Sequence, residues 1–435
     1  MPAIGSVQTS RASTALYSRL DWRLLPFLLV CYTFAYLDRV NIGFAKLQMQ
    51  SALGMSDAVY GLGAGVFFLG YVLFEIPSNL LLPKVGARRT ISRIMILWGL
   101  TSACMMFVHS ETSFYIVRFL LGVFEAGFAP GMIFYLTYWY GPARMGRVMA
   151  IVMLAGPIGG IVGGPLSAWI MTSLAGVNGL MGWQWMFVLE GLPCVALGIL
   201  SLFCLTDRPA DAKWLSQEDK YRLTQETAGA APDTHTSFFA VVADGRVWLM
   251  AVAYFCLICG IYAVSFWLPT ILKADGVKGT MQIGWYSAIP YIVSAIAMTI
   301  LSRSSDRHGE RRLHSAIPAL VGAVSLAAAA VFGGQLFPSL LFITIATAMI
   351  WVAYTIFWAI PSEYLKGDTA AGGMAFINTI GLLGGFLSPT IMGWVKQATG
   401  SLQAGLYVMV ALLLLGAILL YLNRLPRSHQ KGVAQ

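Results

Sequence analysis

The chain has 435 residues, of which 58% are hydrophobic and 11% charged, whereas a soluble domain carries about 25% charged residues. An ordinary soluble globular protein is therefore excluded. The formal net charge of +9 would suit a nucleic-acid partner, but the placement of the basic residues along the chain argues for another origin.

Residues 1–20 lack an apolar core, so no cleavable signal peptide is expected and the first apolar run should remain in the protein. From Leu24 to Leu422 apolar runs recur with short polar breaks, each near the ~20 residues needed to cross a ~30 Å hydrocarbon core. Twelve spans are predicted, at 23–44, 58–82, 90–109, 113–139, 146–173, 183–205, 246–272, 281–302, 313–333, 337–361, 369–396 and 402–423. The long break at 206–243 is rich in charge, and Ser216 three places before Asp219 predicts a capped, short amphipathic helix there. The expected organisation is an all-α polytopic membrane protein: an N-terminal six-helix bundle at 1–205, a linker at 206–243, and a C-terminal six-helix bundle at 244–435.

Counted over alternate loops, 22 of the 28 Lys and Arg residues fall in the set that holds both termini, and four fall in the other: Lys46, Lys273, Lys278 and Lys396. The remaining two, Arg39 and Arg118, lie within spans. This is the positive-inside distribution, which places both termini in the cytoplasm. It accounts for the basicity without nucleic acid. The six cysteines all lie in apolar runs, including the Cys256–Cys259 pair, and read as small helix-packing residues rather than metal or redox groups.

The two halves repeat. Gly86-Ala87-Arg88-Arg89 follows span 2 and Gly309-Glu310-Arg311-Arg312 follows span 8, offset by 223 residues. Gly159-Gly160 with Pro165 in span 5 is matched by Gly384-Gly385 with Pro389 in span 11. Duplication into two pseudo-symmetric six-helix halves around a midplane site is the implied architecture.

Six ionisable residues fall deep within spans, about five or more residues from either predicted end: Asp38, Arg39, Glu75, Arg118, Glu125 and Glu190. Each would cost at least ~2.5 kcal/mol facing lipid at a helix centre, so they should face the bundle interior, paired or wet. All six are in the first half, which assigns ion coupling there and leaves the second half a neutral, aromatic wall. Asp38, Arg39 and Arg118 lie at similar depth, so an Asp38–Arg118 pair is available and would leave Arg39 free for a substrate. Glu125 is seven residues past Arg118, on the same helical face and two turns deeper. An arginine in a membrane cavity stays charged and fits a carboxylate with its planar fork, which favours anionic substrates. No histidine is in mid-span, so proton coupling would fall to Asp38, Glu125 or both. Tyr32, Tyr36, Arg39 and Gly43 form one stripe on span 1; Tyr71, Glu75 and Ser78 do so on span 2, and Tyr254, Tyr262 and Ser265 are offered by span 7.

Asp306-Arg307-His308-Gly309-Glu310-Arg311-Arg312 resembles the loop signature of the major facilitator superfamily, with Lys84 to Arg89 as its degenerate first-half copy. Tyr36 to Ala45, Glu75-Ile76-Pro77-Ser78-Asn79-Leu80, Gly182-Trp183-Gln184-Trp185 running to Pro193, and Phe266-Trp267-Leu268-Pro269-Thr270 resemble the anion:cation symporter family within it. The resemblance covers essentially the whole chain. It implies that Tyr36, Tyr71, Trp358 and Asn378 line a substrate cavity, to which the stripes add Arg39 and Tyr262, with Asp38, Glu125 and Arg118 as the proton-coupling set.

Gly156-Pro157-Ile158-Gly159-Gly160 resembles a motif of drug and proton antiporters, but glycines there also serve close helix packing. Met153 to Gly160 lacks the amide common in sugar-acid members, and Leu382 stands where a second polar residue often follows Asn378. The expected activity is therefore proton-coupled import of an aromatic carboxylate across a bacterial inner membrane by a monomer. The alternatives are a sugar-acid or tartrate-like hydroxy acid symporter and a proton-coupled exporter or exchanger. No enzyme activity, metal or cofactor is expected, since nucleophile, metal-cluster and nucleotide-loop motifs are missing.

Overall fold

The structure, a computed structural model, describes residues 4–227, 243–365 and 368–423. Residues 228–242 of the linker and the C-terminal tail from 424 lie outside the described residues. Every regular element among the described residues is helical, and twelve helices are long and apolar enough to cross a membrane. They are span 1 (Ala15–Ala52), span 2 (Asp57–Val85), span 3 (Ala87–Phe107), span 4 (Glu111–Thr137), span 5 (Arg144–Ser173), span 6 (Gly182–Cys204), span 7 (Gly245–Ala274), span 8 (Thr280–His308), span 9 (Arg312–Val331), span 10 (Leu336–Ser362), span 11 (Gly372–Thr399) and span 12 (Leu402–Leu422). Span 1 extends well beyond its apolar run at both ends, because helix needs no apolar residues where neighbouring elements cover it.

The chain divides into two units. The first comprises Met1–Asn41, Leu69–Gly163 and Ile170–Ala231; the second comprises Ile42–Phe68, Gly164–Trp169 and Pro232–Gln435. The division thus cuts across the six-and-six arrangement of spans, since the ends of spans 1 and 2 around residues 42–68 belong to the second unit.

Within the first unit, spans 3 and 6 pack along their length. Helices in lipid associate by close contact rather than by a hydrophobic drive, so small residues mark the interface. A Cβ on Gly99 would stand 2.7 Å from Gly191 O, and one on Gly191 would stand 2.8 Å from Gly99 O. Gly191→Val is therefore expected to cost about 2 kcal/mol or more by overpacking, read as a lower thermal midpoint and a lower yield of folded protein. An unchanged midpoint would show that the two helices can separate freely.

The repeated glycines perform equivalent packing in each unit. A Cβ at Gly159 would lie 2.8 Å from Tyr36 Cβ, pressing span 5 onto span 1, and one at Gly384 would lie 2.6 Å from Phe255 O, pressing span 11 onto span 7. Gly159 of the antiporter-like stretch in span 5 therefore serves close approach.

The repeated loops are also built. Arg88 N donates to Asp207 Oδ1 (2.8 Å) after Gly86, whose φ is +95°. In the second copy, Gly309 caps span 8 with φ +61°, and the Glu310 carboxylate accepts from Leu313 N (2.8 Å) and His314 N (3.1 Å) at the start of span 9. Partial burial raises the Glu310 carboxyl, but these backbone donors together with the His314 ring outweigh it and hold it below the usual glutamate range.

The short helix Gln217–Thr227 forms where the linker predicts it, with Asp219 N donating to Ser216 Oγ (3.1 Å). It is tied to span 1 by Arg19–Asp219 (3.0 Å) and by Tyr17 OH donating to the Glu226 carboxylate. Just before it, Trp214 stacks on Trp139 at 5.8 Å and lies under Arg23 at 4.9 Å.

Candidate functional site

The charges of the first unit meet at span 1. Arg39 is 6% exposed and Asp38, Glu125 and Arg118 are buried. Arg39 Nε donates to Glu125 Oε1 at 2.7 Å, and its NH2 nitrogen lies 2.5 Å from the same oxygen. Its guanidinium also faces two aromatic rings, Tyr71 at 5.2 Å and Tyr36 at 5.6 Å, positions from which ring quadrupoles attract a cation. The structure thus brings together Arg39, Tyr36, Tyr71 and Glu125.

This corrects the expected pairing. Arg39 is engaged by Glu125 rather than left free, and Asp38 is held chiefly by neutral donors. Trp98 Nε1 donates to Asp38 Oδ2 (2.7 Å), Asn41 Nδ2 donates to Oδ1 (3.1 Å), and Ser102 Oγ donates to Oδ1 as well. Asn41 Nδ2 also reaches Glu190 Oε2 at 3.0 Å, so one amide joins two carboxylates. Arg118 lies close enough for its charge to act on both Asp38 and Glu125. The reason for the difference is rotational: depth along a span follows from residue counting, whereas facing follows from how neighbouring helices turn.

A break in span 4 positions Glu125. The helix Glu111–Glu125 ends there, and a second helix, Phe128–Thr137, starts after Gly127. Gly127 has φ +87°, and a Cβ on it would come 2.6 Å from Ser78 Oγ, so glycine is required on both counts. Glu125 therefore sits at a helix C-terminus, where carbonyl ends carry partial negative charge, and Arg39 offsets it. Interrupted spans of this kind are tolerated where the backbone lines protein interior, and they recur at transporter ion sites.

Trp98 and Ser102 were not singled out by sequence reasoning. Their four-residue spacing puts both on one face of span 3, a legible but weak signal. Gly127 with Pro130, inside an otherwise apolar run, was the available sign of the break. Trp98→Phe is expected to remove one donor to a buried carboxylate, costing about 1.5–3 kcal/mol and lowering the thermal midpoint of the purified protein. Stability equal to wild type would mean that Asp38 does not depend on the indole.

The second unit holds the other expected residues. Tyr262 on span 7 packs against Phe68 (4.5 Å) and Phe266 (5.3 Å). Trp358 lies at the junction of the helices Leu336–Phe357 and Ala359–Tyr364 in span 10. It meets Tyr254 edge-on at 4.8 Å, and Tyr254 stacks on Phe357 at 5.0 Å and on Tyr354 at 6.0 Å. Tyr254 also presses on span 11 at Gly381, where a Cβ would overlap its ring, less than one turn from Asn378. Tyr254 of span 7 thus packs on the aromatic rings of span 10 and against Gly381 of span 11. Among the described residues no group of histidine, cysteine and acidic side chains could hold a metal, and the six cysteines are free thiols.

The family model described as Major Facilitator Superfamily matches residues 28–389 and 281–435. Over 93% of each chain, the sequence is 45% identical to a Pseudomonas putida protein named as the metabolite transport protein NicT. It is 44% identical to an Agrobacterium vitis protein named as a tartrate transporter, covering 98% of this chain and 95% of the relative. It is 39% identical to an Acinetobacter baumannii protein named as a quinolone resistance transporter, over 95% of each. The crystal structure of a D-xylose-proton symporter superposes with a TM-score of 0.75 at 13% identity, covering 92% of this chain and 97% of that one, which is a likeness of fold.

Proposed function

The chain belongs to the major facilitator superfamily and is a membrane transporter, and from that premise we propose that it imports an organic carboxylate together with protons by alternating access. The observation that carries this reading is the sealed Arg39–Glu125 pair between Tyr36 and Tyr71. A buried guanidinium must be balanced by an anion. Two anions compete for it in turn: Glu125 when no substrate is present, and the substrate carboxylate when Glu125 carries a proton. Binding of substrate is thereby tied to protonation, which is the requirement for symport.

Asp38, held by three side-chain donors, fixes the turn of span 1 that carries Arg39 and is the second proton-carrying group. Arg118 balances the pair of carboxylates. Tyr36 and Tyr71 flank the guanidinium with flat apolar faces and favour an aromatic carboxylate; Tyr262, Trp358 and Asn378 are the further residues assigned to substrate. The uneven distribution of basic residues, 22 against four, supports a bacterial inner-membrane orientation with both termini cytoplasmic. The protein acts as a monomer.

A tartrate-like hydroxy acid is the second reading of the substrate, favoured by the name of one relative. Outward exchange is the second reading of the direction, favoured by the name of another. Proteoliposomes containing the purified protein, given labelled aromatic, dicarboxylic and sugar acids with and without an inward proton gradient, decide among them. The expected result is accumulation of one acid class above equilibrium only with the gradient. Flux that ignores the gradient would overturn proton coupling.

A further inference from the structure

At the end of span 1 far from the linker, the second unit contains a cavity of about 400 Å3 lined by Lys46, Lys273 and Lys396 together with Gln50, Ser51 and Thr270. The face predicted to lie outside has four basic residues in the whole sequence, and three of them line this one cavity. Lys46 is 3% exposed, an unusual state for a lysine. Its Nζ lies 2.7 Å from Asp57 Oδ1 and 3.5 Å from the centre of the Trp267 ring. Lys396 Nζ lies 3.0 Å from Asp57 Oδ2 and 3.1 Å from Oδ1.

Both lysines therefore share one carboxylate oxygen, and two ammoniums within about 6 Å of each other repel unless anions lie beside them. The arrangement is built rather than incidental. A Cβ at Gly393 would lie 2.4 Å from Asp57 O, and Ala58 N donates to Gln397 Oε1 (3.1 Å), so the start of span 2 is strapped to the end of span 11. One aspartate beside three lysines leaves the cluster short of anions. Thr270 Oγ1 is buried in the cavity wall without a hydrogen-bond partner among the described residues, and a hydroxyl there is a ready donor to an oxyanion.

We infer that this cavity is an anion-receiving site, in which the carboxylate of an incoming substrate takes Lys46 and Lys396 from Asp57 after Lys273 has drawn it in. This rests on the orientation and the carboxylate import proposed above. The volume fits a small organic acid, and concentrated positive charge at a cavity mouth raises the local anion concentration and the rate of capture. Because Asp57 links Lys46 of span 1 to Lys396 of span 11, its displacement also loosens the contact between those two spans. The site thus differs in chemistry from the Arg39 site: lysine ammoniums with an internal competing carboxylate receive the anion, and a planar guanidinium selects it.

The test uses the full chain in lipid nanodiscs and saturation-transfer NMR with phthalate and L-tartrate as probes. Arg39→Gln with Glu125→Gln removes both members of the buried pair together, so no unpaired charge is left to unfold the protein. The expected result is that this double variant still binds one of the probes, and that adding Lys273→Gln and Lys396→Gln lowers its signal about fivefold or more. In uptake assays, the two lysine substitutions alone should raise the apparent KM for outside substrate about tenfold with the maximal rate retained. Binding by wild type but not by the Arg39–Glu125 double variant would overturn the receiving site and leave the import reading standing. Binding that survives the lysine substitutions would also overturn it. Absence of binding in every protein would overturn both readings.

Discussion

Arg39→Ala is expected to lower carboxylate uptake by about 100-fold or more. Removing one partner of a buried ion pair costs about 3–5 kcal/mol because the other charge is left uncompensated, and each 1.4 kcal/mol is about tenfold. Two separate losses follow from the substitution. The substrate loses the guanidinium that would bind it, and Glu125, at the C-terminus of its helix segment, loses the cation that offsets its charge. They can be separated by adding Glu125→Gln: the double variant should regain thermal stability while uptake stays abolished. Arg39→Lys keeps the charge and loses the planar fork, and its uptake should lie between wild type and Ala. Wild-type uptake by Arg39→Ala in proteoliposomes would remove Arg39 from the substrate site.

Glu125→Gln is expected to abolish gradient-driven accumulation while sparing exchange of substrate across the membrane. The amide has the shape of a protonated glutamate and cannot release a proton, so Arg39 stays available to a carboxylate at every pH. Each coupled proton contributes about 1.36 kcal/mol, or about tenfold accumulation, per pH unit of gradient. In a liposome with an imposed gradient of one unit, the variant should lose that factor for each proton that Glu125 carries. Counterflow of labelled against unlabelled substrate should persist. Accumulation equal to wild type would reject Glu125 as a coupling group and turn attention to Asp38, for which Asp38→Asn is the matching variant.

Much of the fold was legible in the sequence because lipid imposes a strong constraint: a helix that crosses it needs a long apolar run, and a charge within that run must face protein. The twelve spans and the burial of Asp38, Arg39, Arg118, Glu125 and Glu190 follow from those two rules, and the structure agrees with them. The capped helix after Ser216 follows from side-chain chemistry local to four residues. The glycine pairs at 159–160 and 384–385 were legible as a duplication, and Gly159 and Gly384 press their spans onto equivalent neighbours, spans 1 and 7.

The pairing of the charges was not legible. Helical periodicity assigns Asp38 and Arg39 a depth and leaves them 100° apart around the axis, so which of them meets Glu125 depends on how spans 1, 3 and 4 are turned. That turn is set by contacts with no sequence period, such as Gly159 against Tyr36 and Gly70 against Phe119 O. The same holds for Trp98 and Ser102, whose donors reach Asp38 from a helix sixty residues away, and for Gly127, where one left-handed residue ends a helix in mid-span. Lys46, Lys273 and Lys396, far apart in the chain, likewise line one cavity only once spans 1, 7 and 11 are packed. By itself the sequence determined the solvent this protein lives in, the number of its spans, and which charges must be inside, because each of these depends on residues adjacent in the chain. The tertiary structure alone decided which charges are partners and where they converge, because that depends on the relative rotation of helices, and the rotation is fixed by close packing between residues far apart in sequence.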